Sequence, residues 1–296
     1  MADPIVTVAA PAKLNLYLHV TGKRDDGYHL LDSLIAFADV GDEIKARAAA
    51  DGSLTLAVRG PFAKDLADEA DNLVLRAARM LRQAAGVSAG AHLVLEKRLP
   101  VASGIGGGSA DAAAALKALT RVWGIELPEP DMRAMALELG ADVPICWVGA
   151  PAFVGGIGDE IEPAPPLPPV PLLLVNPRVG VSTPAVFKAR TGDFQQANRF
   201  KETPIDGAHL AFLLKSRANG LDQAACALCP PIAQVLAALE ATEGSLLTRM
   251  SGSGGTCFAL YETEGQALAA AERLYDAEPD WWIAMGHLGA PGDGLN

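Results

Sequence analysis

Cationic residues are in short supply. The 296-residue chain has 24 Lys and Arg against 35 Asp and Glu, a formal net charge of −11. General binding to nucleic acid needs basic surface to neutralise phosphates, so the charge argues against that class. A small nucleotide held in a local basic or amide-lined pocket remains allowed. No apolar run approaches the roughly 20 residues of a spanning helix, which argues against a membrane protein. The opening MADPIVTV has neither a basic segment nor a long apolar core. No export signal is expected there, and the chain reads as cytoplasmic.

Cysteine is scarce too: Cys146, Cys226, Cys229 and Cys257. The Cys226–Cys229 spacing suits a metal or redox pair, but no second pair or nearby histidine completes a tetrahedral set. Pro230 follows directly, which puts the pair at a helix end and favours buried thiols. The five histidines are scattered without ligand spacing. There is no internal repeat, and no regular strand–helix alternation of a doubly wound sheet.

What is present is a globular composition, half apolar and a fifth charged, at about twice a common domain length. Two α+β domains are expected, residues 1–160 and 161–296. Ile5–Val8 and Leu14–Val20 read as strands, the latter with Leu14, Leu16 and Leu18 on one face. Lys23–Tyr28 is a charged turn around Gly27. Leu54–Val58 and His92–Glu96 are further strands, and Asn72–Ala85 has helical spacing. Pro163–Pro171, with six prolines in nine residues, reads as stiff, extended and outside any central ladder, a boundary or crossover. Beyond it, strands are expected at Leu172–Val175, Cys257–Tyr261 and Trp281–Met285. Helices are expected near Ala208–Lys215, Ile232–Glu240 and Ala267–Tyr275.

The stretch Ser103–Asp111, SGIGGGSAD, packs four glycines into five positions. It runs into Ala112–Ala115, Leu116, Leu119 and Trp123 at helical spacing, with Gly124 as the stop. Glycines at a helix N-terminus let an anion approach unpaired N–H groups and the positive end of the dipole. Polyphosphate binding follows. A Walker A loop would end in Gly-Lys-Ser/Thr, whereas Gly108 leads to Ser109 and Ala110. The dinucleotide pattern starts at Gly104 and Gly106 but has Ser109 in its third place, which disfavours an oxidoreductase. The plainer reading is a tight turn capped by Ser109, but a cap needs one or two glycines, not four. Asp111 either complements the dipole or contacts Mg²⁺ on the phosphates.

Three segments now combine. They are Pro11-Ala-Lys-Leu-Asn-Leu16 with Arg24-Asp-Asp-Gly-Tyr-His29 and Ser33; Leu99–Asp111 with Gly140-Ala-Asp-Val-Pro144; and Ser251-Gly-Ser-Gly-Gly-Thr-Cys-Phe258. Together they resemble the three motifs of the GHMP kinase superfamily, across nearly the whole chain. KLNL with DGYH is similar to the branch that acts on a cytidine diphosphate derivative of methylerythritol. The resemblance implies ATP-dependent phosphorylation of the tertiary 2-hydroxyl of that acceptor, in the non-mevalonate isoprenoid route. It implies an N-terminal domain like ribosomal protein S5 domain 2, a ferredoxin-like C-terminal domain, and an active site in the cleft between them.

By the same resemblance, ATP lies on Pro100, Val101, Ala102, Ser103, Gly104, Ile105, Gly106, Gly107, Gly108, Ser109 and Ala110, with adenine near Asn72, Leu73 and Lys97. Ala110 stands where the family often has a second serine, which removes one hydroxyl near phosphate or metal. Asp142 matches the catalytic aspartate and Lys13 its partner; on the residues alone they also read as a structural ion pair. Tyr28 and His29 match the cytidine-binding pair, with Phe187 a third ring, although alone they read as an ordinary turn. Asn15 is placed to hydrogen-bond substrate. Thr183 and Ser251–Thr256 hold the diphosphate or close the cleft; the latter also reads as a plain hairpin. The expected cofactors are ATP and Mg²⁺, and the expected partners are small molecules only. Rival readings are a homoserine- or mevalonate-type kinase, which has no base to stack on DGYH, and a non-catalytic nucleotide-binding regulator. Retention of both Lys13 and Asp142 argues against the regulator.

Overall fold

The structure, a computed structural model, describes residues 4–66 and 72–289. The chain forms two compact units interleaved along the sequence. One gathers the chain up to Ala12 with Gly41–Val101 and Gly106–Gly149; the other takes Lys13–Val40, Ala102–Ile105 and the chain from Ala150 on. Two long paired strands, β1 (Val6–Lys23) and β2 (His29–Ala49), each contribute to both.

In the first unit, β2 pairs over Glu43–Ala49 with β4 (Gly90–Glu96), antiparallel, and β4 pairs in parallel with β3 (Leu54–Arg59). Ile44, Ala46, Leu93 and Leu95 are buried and alternate with the other face of the sheet. The helices are α1 (Leu73–Ala84), α2 (Gly107–Trp123), α3 (Glu129–Leu139) and α4 (Val143–Val148). Helix α1 buries Val74, Ala77, Ala78 and Leu81, the i, i+3, i+4, i+7 stripe that its sequence predicts. Helix α2 is buried nearly all round from Ala110 to Leu119 and packs on both α1 and α4. Its run of alanines permits that close approach, and Gly124 ends it in the left-handed region (φ 62°). Gly41 marks another close approach: a Cβ there would fall 2.7 Å from Pro11 Cα and closer still to Ala10 O.

In the second unit, β7 (Val170–Asn176) lies between β10 (Trp282–Leu288) and β9 (Cys257–Tyr261), all antiparallel, and β8 (Ser245–Met250) lies outside β9. Leu288 pairs with Ala38 of β2, and β2 pairs over Ser33–Ile35 with β5 (Ala152–Gly155), which pairs with β6 (Glu160–Pro163). The helices are α5 (Thr183–Ala189), α6 (Gly207–Leu214), α7 (Asp222–Leu228), α8 (Pro231–Glu240) and α9 (Glu264–Ala277). Leu173, Val175, Ile232, Val235, Leu239, Met250 and Ile283 form the centre of its core.

Most expected elements are present within a few residues; β5, β6, β8, α3, α4, α5 and α7 have no counterpart among the expectations, and three further features differ. The two N-terminal strands are one, because Pro11 sits inside β1 without breaking it. The 21-residue β2 was not anticipated. Asp32–Ala38 is buried on both faces, so the alternation that marks a half-exposed strand is missing. Pro171 does enter a strand flanked on both sides, but it faces only His287 of β10; pairing with β9 begins at Leu172. The missing N–H therefore costs no ladder bond on that side. Cys229 caps α7 and Pro230 precedes α8, which puts the cysteine pair at a helix end as expected.

Candidate functional site

Gly106, in the left-handed region at φ 65°, is the N-cap of α2, so the helix starts at Gly107 and Ser109 lies inside its first turn instead of capping it. The first N–H groups of a helix have no carbonyl one turn earlier to bond. Gly108 is exposed there, and a Cβ added to it would meet no atom within 4 Å. The glycine turn thus presents unpaired N–H groups and open space, the conditions for an anion.

Upstream, the turn residues Ala102–Ile105 dock on the second glycine-rich loop. Ser251 Oγ donates to Gly104 O (3.0 Å), and Thr256 N donates to Ser103 O (2.9 Å). Gly104 has φ 76°, and a Cβ there would lie 2.7 Å from Ser251 O and closer to Gly254 O. Lys13 N donates to Ile105 O (2.9 Å), which ties β1 to the same turn. The Lys13 ammonium donates to Asn15 Oδ1 (3.0 Å), Asn15 Nδ2 to Ser33 Oγ (2.8 Å), and Asn15 N to Ser251 Oγ (3.1 Å). Lys13 and Asn15 are each 5% exposed, on the same side of β1, as their two-residue spacing requires.

His29 and Phe187 stack, with centroids 5.2 Å apart and planes at 30°. Burial, with the Lys23 and Arg190 cations, holds His29 below the ordinary histidine pKa. Tyr28 is 61% exposed. Thr183 begins α5 one turn before Phe187, and its hydroxyl is 2.7 Å from Ser253 Oγ. In the second unit the structure therefore brings together Lys13 with Asn15, His29 with Phe187, and Thr183 with the second glycine loop. Asp142 is half-buried at the N-cap position of α4.

The remaining candidates lie in the first unit. Asn72 caps α1, its Oδ1 accepting from Val74 N (2.9 Å), and Leu73 follows half-buried. Lys97 and Asp111 belong to a buried trio with Asp42, which sequence reasoning missed. Lys97 Nζ donates to Asp42 Oδ2 (2.6 Å) and to Asp111 Oδ2 (2.7 Å). Burial alone pulls the Lys97 ammonium down, but the two carboxylates outweigh it and hold its pKa above the lysine norm. Burial pushes the Asp111 carboxyl upward, against the pull of the Lys97 charge. Also missed was a network in the second unit, where Asp32 accepts from Tyr17 Oη (3.0 Å), Asn198 N (2.8 Å) and Arg199 Nε (2.7 Å). No spacing signal marks Asp32, which lies in the doubly buried stretch of β2, and Asp42 stands at the head of that strand's alternating half without a motif of its own.

Comparison with known proteins gives this arrangement a family. Residues 72–150 match the model of the GHMP kinases N terminal domain, and residues 210–280 match that of the GHMP kinases C terminal. A curated 4-diphosphocytidyl-2-C-methyl-D-erythritol kinase from Paramagnetospirillum magneticum is 54% identical over 282 residues, 95% of this chain and 98% of that protein. The chain belongs to the GHMP kinase family. A second protein of the same name, from Rhodospirillum rubrum, is 51% identical over 97% of this GHMP kinase and 93% of its own length. Among solved structures, a 4-(cytidine 5'-diphospho)-2C-methyl-D-erythritol kinase is 34% identical with a TM-score of 0.79, covering 97% of this chain and all of that one. A homoserine kinase from Cytophaga hutchinsonii, 18% identical with a TM-score of 0.73 and 97% and 96% coverage, shares the fold. The two-domain α+β fold of GHMP kinases is thus the fold of this chain. No helix among its described residues is long and apolar enough to cross a membrane.

Proposed function

We propose that this chain transfers the γ-phosphoryl group of ATP to the 2-hydroxyl of 4-diphosphocytidyl-2-C-methyl-D-erythritol, a step of the methylerythritol phosphate route to isoprenoid precursors. The observation that carries the reading is the His29–Phe187 stack, a pair of rings 158 positions apart in sequence that meet beside Tyr28. A flat apolar step of this kind suits a pyrimidine, for which base–aromatic stacking contributes about 1–3 kcal/mol. Homoserine and mevalonate carry no base to place there. Near-full-length identity to proteins named for the cytidylated substrate supports the same acceptor.

In this reading ATP, carried with Mg²⁺, sets its phosphates on the glycine turn from Ser103 to Ala110, and its adenine lies toward Asn72 and Leu73. Phosphoryl transfer passes through a loose transition state, so positioning and charge stabilisation matter more than early deprotonation. Asp142 is assigned to hold the acceptor hydroxyl and take its proton, and Lys13 to stabilise charge during transfer. Asn15 orients the acceptor through its side-chain amide, itself held by Lys13, Ser33 and Ser251. Thr183 and Ser253 face the diphosphate. Residues 1–160 and 161–296 serve as working domains, each containing one of the two family matches. The enzyme works in the cytoplasm on small molecules alone.

The test is ADP release with four acceptor conditions: the cytidylated alcohol, homoserine, mevalonate and none. Turnover only with the cytidylated alcohol is expected. Faster turnover with homoserine or mevalonate overturns the acceptor assignment, and nucleotide binding without turnover on any of them overturns the enzyme.

A further inference from the structure

We propose that Asp42, Lys97 and Asp111 form a buried clasp that positions the phosphate-binding glycine turn, and that Asp111 is a positioning residue there instead of a ligand of Mg²⁺. The proposal rests on the reading of that turn as an ATP site. Its basis is a division of labour among three side chains that are 2%, 2% and 3% exposed. Asp42 Oδ1 accepts from the backbone N–H groups of Arg98 (2.5 Å) and Leu99 (2.8 Å), the residues that lead into the turn. Its Oδ2 accepts from Lys97 Nζ at 2.6 Å. The same ammonium donates to Asp111 Oδ2 at 2.7 Å, on α2 one helical turn after Gly107. Both stems of the glycine turn, the segment before it and the helix after it, are therefore fastened to one lysine. Gly107 completes the fit: a Cβ there would fall 3.1 Å from Lys97 Nζ and press the ammonium out of place by a few tenths of an ångström beneath the first turn of α2.

The donor set does not suit a divalent cation. Mg²⁺ demands near-octahedral oxygen ligands and keeps several waters. Asp111 Oδ2 is taken by an ammonium, and Oδ1 is buried with no hydrogen-bond partner. A dication on Oδ1 would share one carboxylate with the Lys97 ammonium. Asp42 offers no relief, because both its oxygens are already engaged. Shared by two carboxylates, one of which also accepts from two backbone N–H groups, the ammonium is compensated where it lies.

The experiment is calorimetric titration of the full chain with ADP, with and without Mg²⁺, for Asp42→Asn and Asp111→Asn, alongside KM for ATP and for the acceptor. A displaced turn should weaken ADP binding by about tenfold to a hundredfold. The loss should be equal with and without Mg²⁺, and KM should rise for ATP but not for the acceptor. A loss in Asp111→Asn that appears only with Mg²⁺ makes it a metal ligand and overturns the proposal. So does a lowered melting temperature with unchanged ADP affinity, the signature of a merely structural trio. If the carboxylate variants do not fold, Lys97→Arg keeps the charge but changes its geometry, and it is judged by the same losses. An unsubstituted chain that binds no ADP overturns the nucleotide reading itself, a result distinct from any difference among the variants.

Discussion

Gly108→Ala separates the two reasons a turn can be rich in glycine. A Cβ at this position meets nothing within 4 Å, and the residue lies in the first turn of α2. If glycine served only the backbone, alanine would fit and raise stability by about 0.5 kcal/mol through a less flexible unfolded chain. If phosphate oxygens rest on the N–H groups of this turn, the methyl holds them off. Each charge-assisted hydrogen bond lost costs about 1.5–3 kcal/mol. One such bond corresponds to about a tenfold to hundredfold weaker complex. Expected, therefore, is an equal or higher melting temperature with ADP affinity down by at least about tenfold. Gly104→Ala is the contrasting variant. Its φ of 76° disfavours any side chain, and the added Cβ runs into backbone oxygens of Ser251 and Gly254. The left-handed conformation costs about 1–2 kcal/mol. Overpacking against backbone adds about 1–3 kcal/mol more. That variant should lose stability first, and binding only as a consequence. Gly107 cannot make the distinction, because its Cβ would press on Lys97 Nζ. The assays are thermal unfolding and ADP calorimetry on the same preparations. A stable Gly108→Ala that binds ADP as tightly as the native chain would refute the phosphate assignment.

Tyr28→Ala should raise KM for the cytidylated acceptor by about tenfold to a hundredfold, the worth of one stacked base, with KM for ATP unchanged; equal constants would reduce Tyr28 to a turn residue. Asp142→Asn should lower kcat by about 10²–10⁴ with little change in acceptor binding, and Lys13→Met should do the same. The double variant should lose much less than the product of the two, and fully multiplicative losses in steady-state kinetics would show that the residues act independently. His287 is held above the ordinary histidine pKa by its hydrogen bond to Asp39 and then by Glu264. A raised folded pKa gives stability that is fully present below the unfolded value near 6.5 and is lost as pH rises through the folded value. The melting-temperature gap between the native chain and His287→Gln should therefore be widest at about pH 6 and close toward alkaline pH. A gap independent of pH would locate its source elsewhere.

How legible each part was in the sequence depends on whether it carried its own local signal. The turn at Gly104–Gly108 was visible because four glycines in five positions have few other physical justifications, and the helix after it was fixed by the Ala–Leu pattern and Gly124. Helix α1 was visible for the same reason, with Asn72 capping and a 3.6-residue stripe behind it. Strand β2 was not, because its stretch Asp32–Ala38 is buried on both faces and has no alternation to detect. Asp32 at the centre of a hydrogen-bond network and Asp42 in the clasp went unseen, whereas His29 and Ser33 of the same strand were reached only through the motif resemblance. Lys97 shows the consequence. The family resemblance places it near the adenine, and nothing in EKRLP announces the two carboxylates that flank it, one 55 positions earlier and one 14 later. A residue that meets a ligand must sit in a shaped stretch of backbone, and that shape is written locally. A residue that holds such a stretch in place can come from anywhere in the chain, because what matters is only where its atoms end. The glycine turn is of the first kind and Asp42 of the second. The bond from Asp42 to the backbone of Arg98 and Leu99 therefore had to be seen in three dimensions before the turn could be understood as held from both sides.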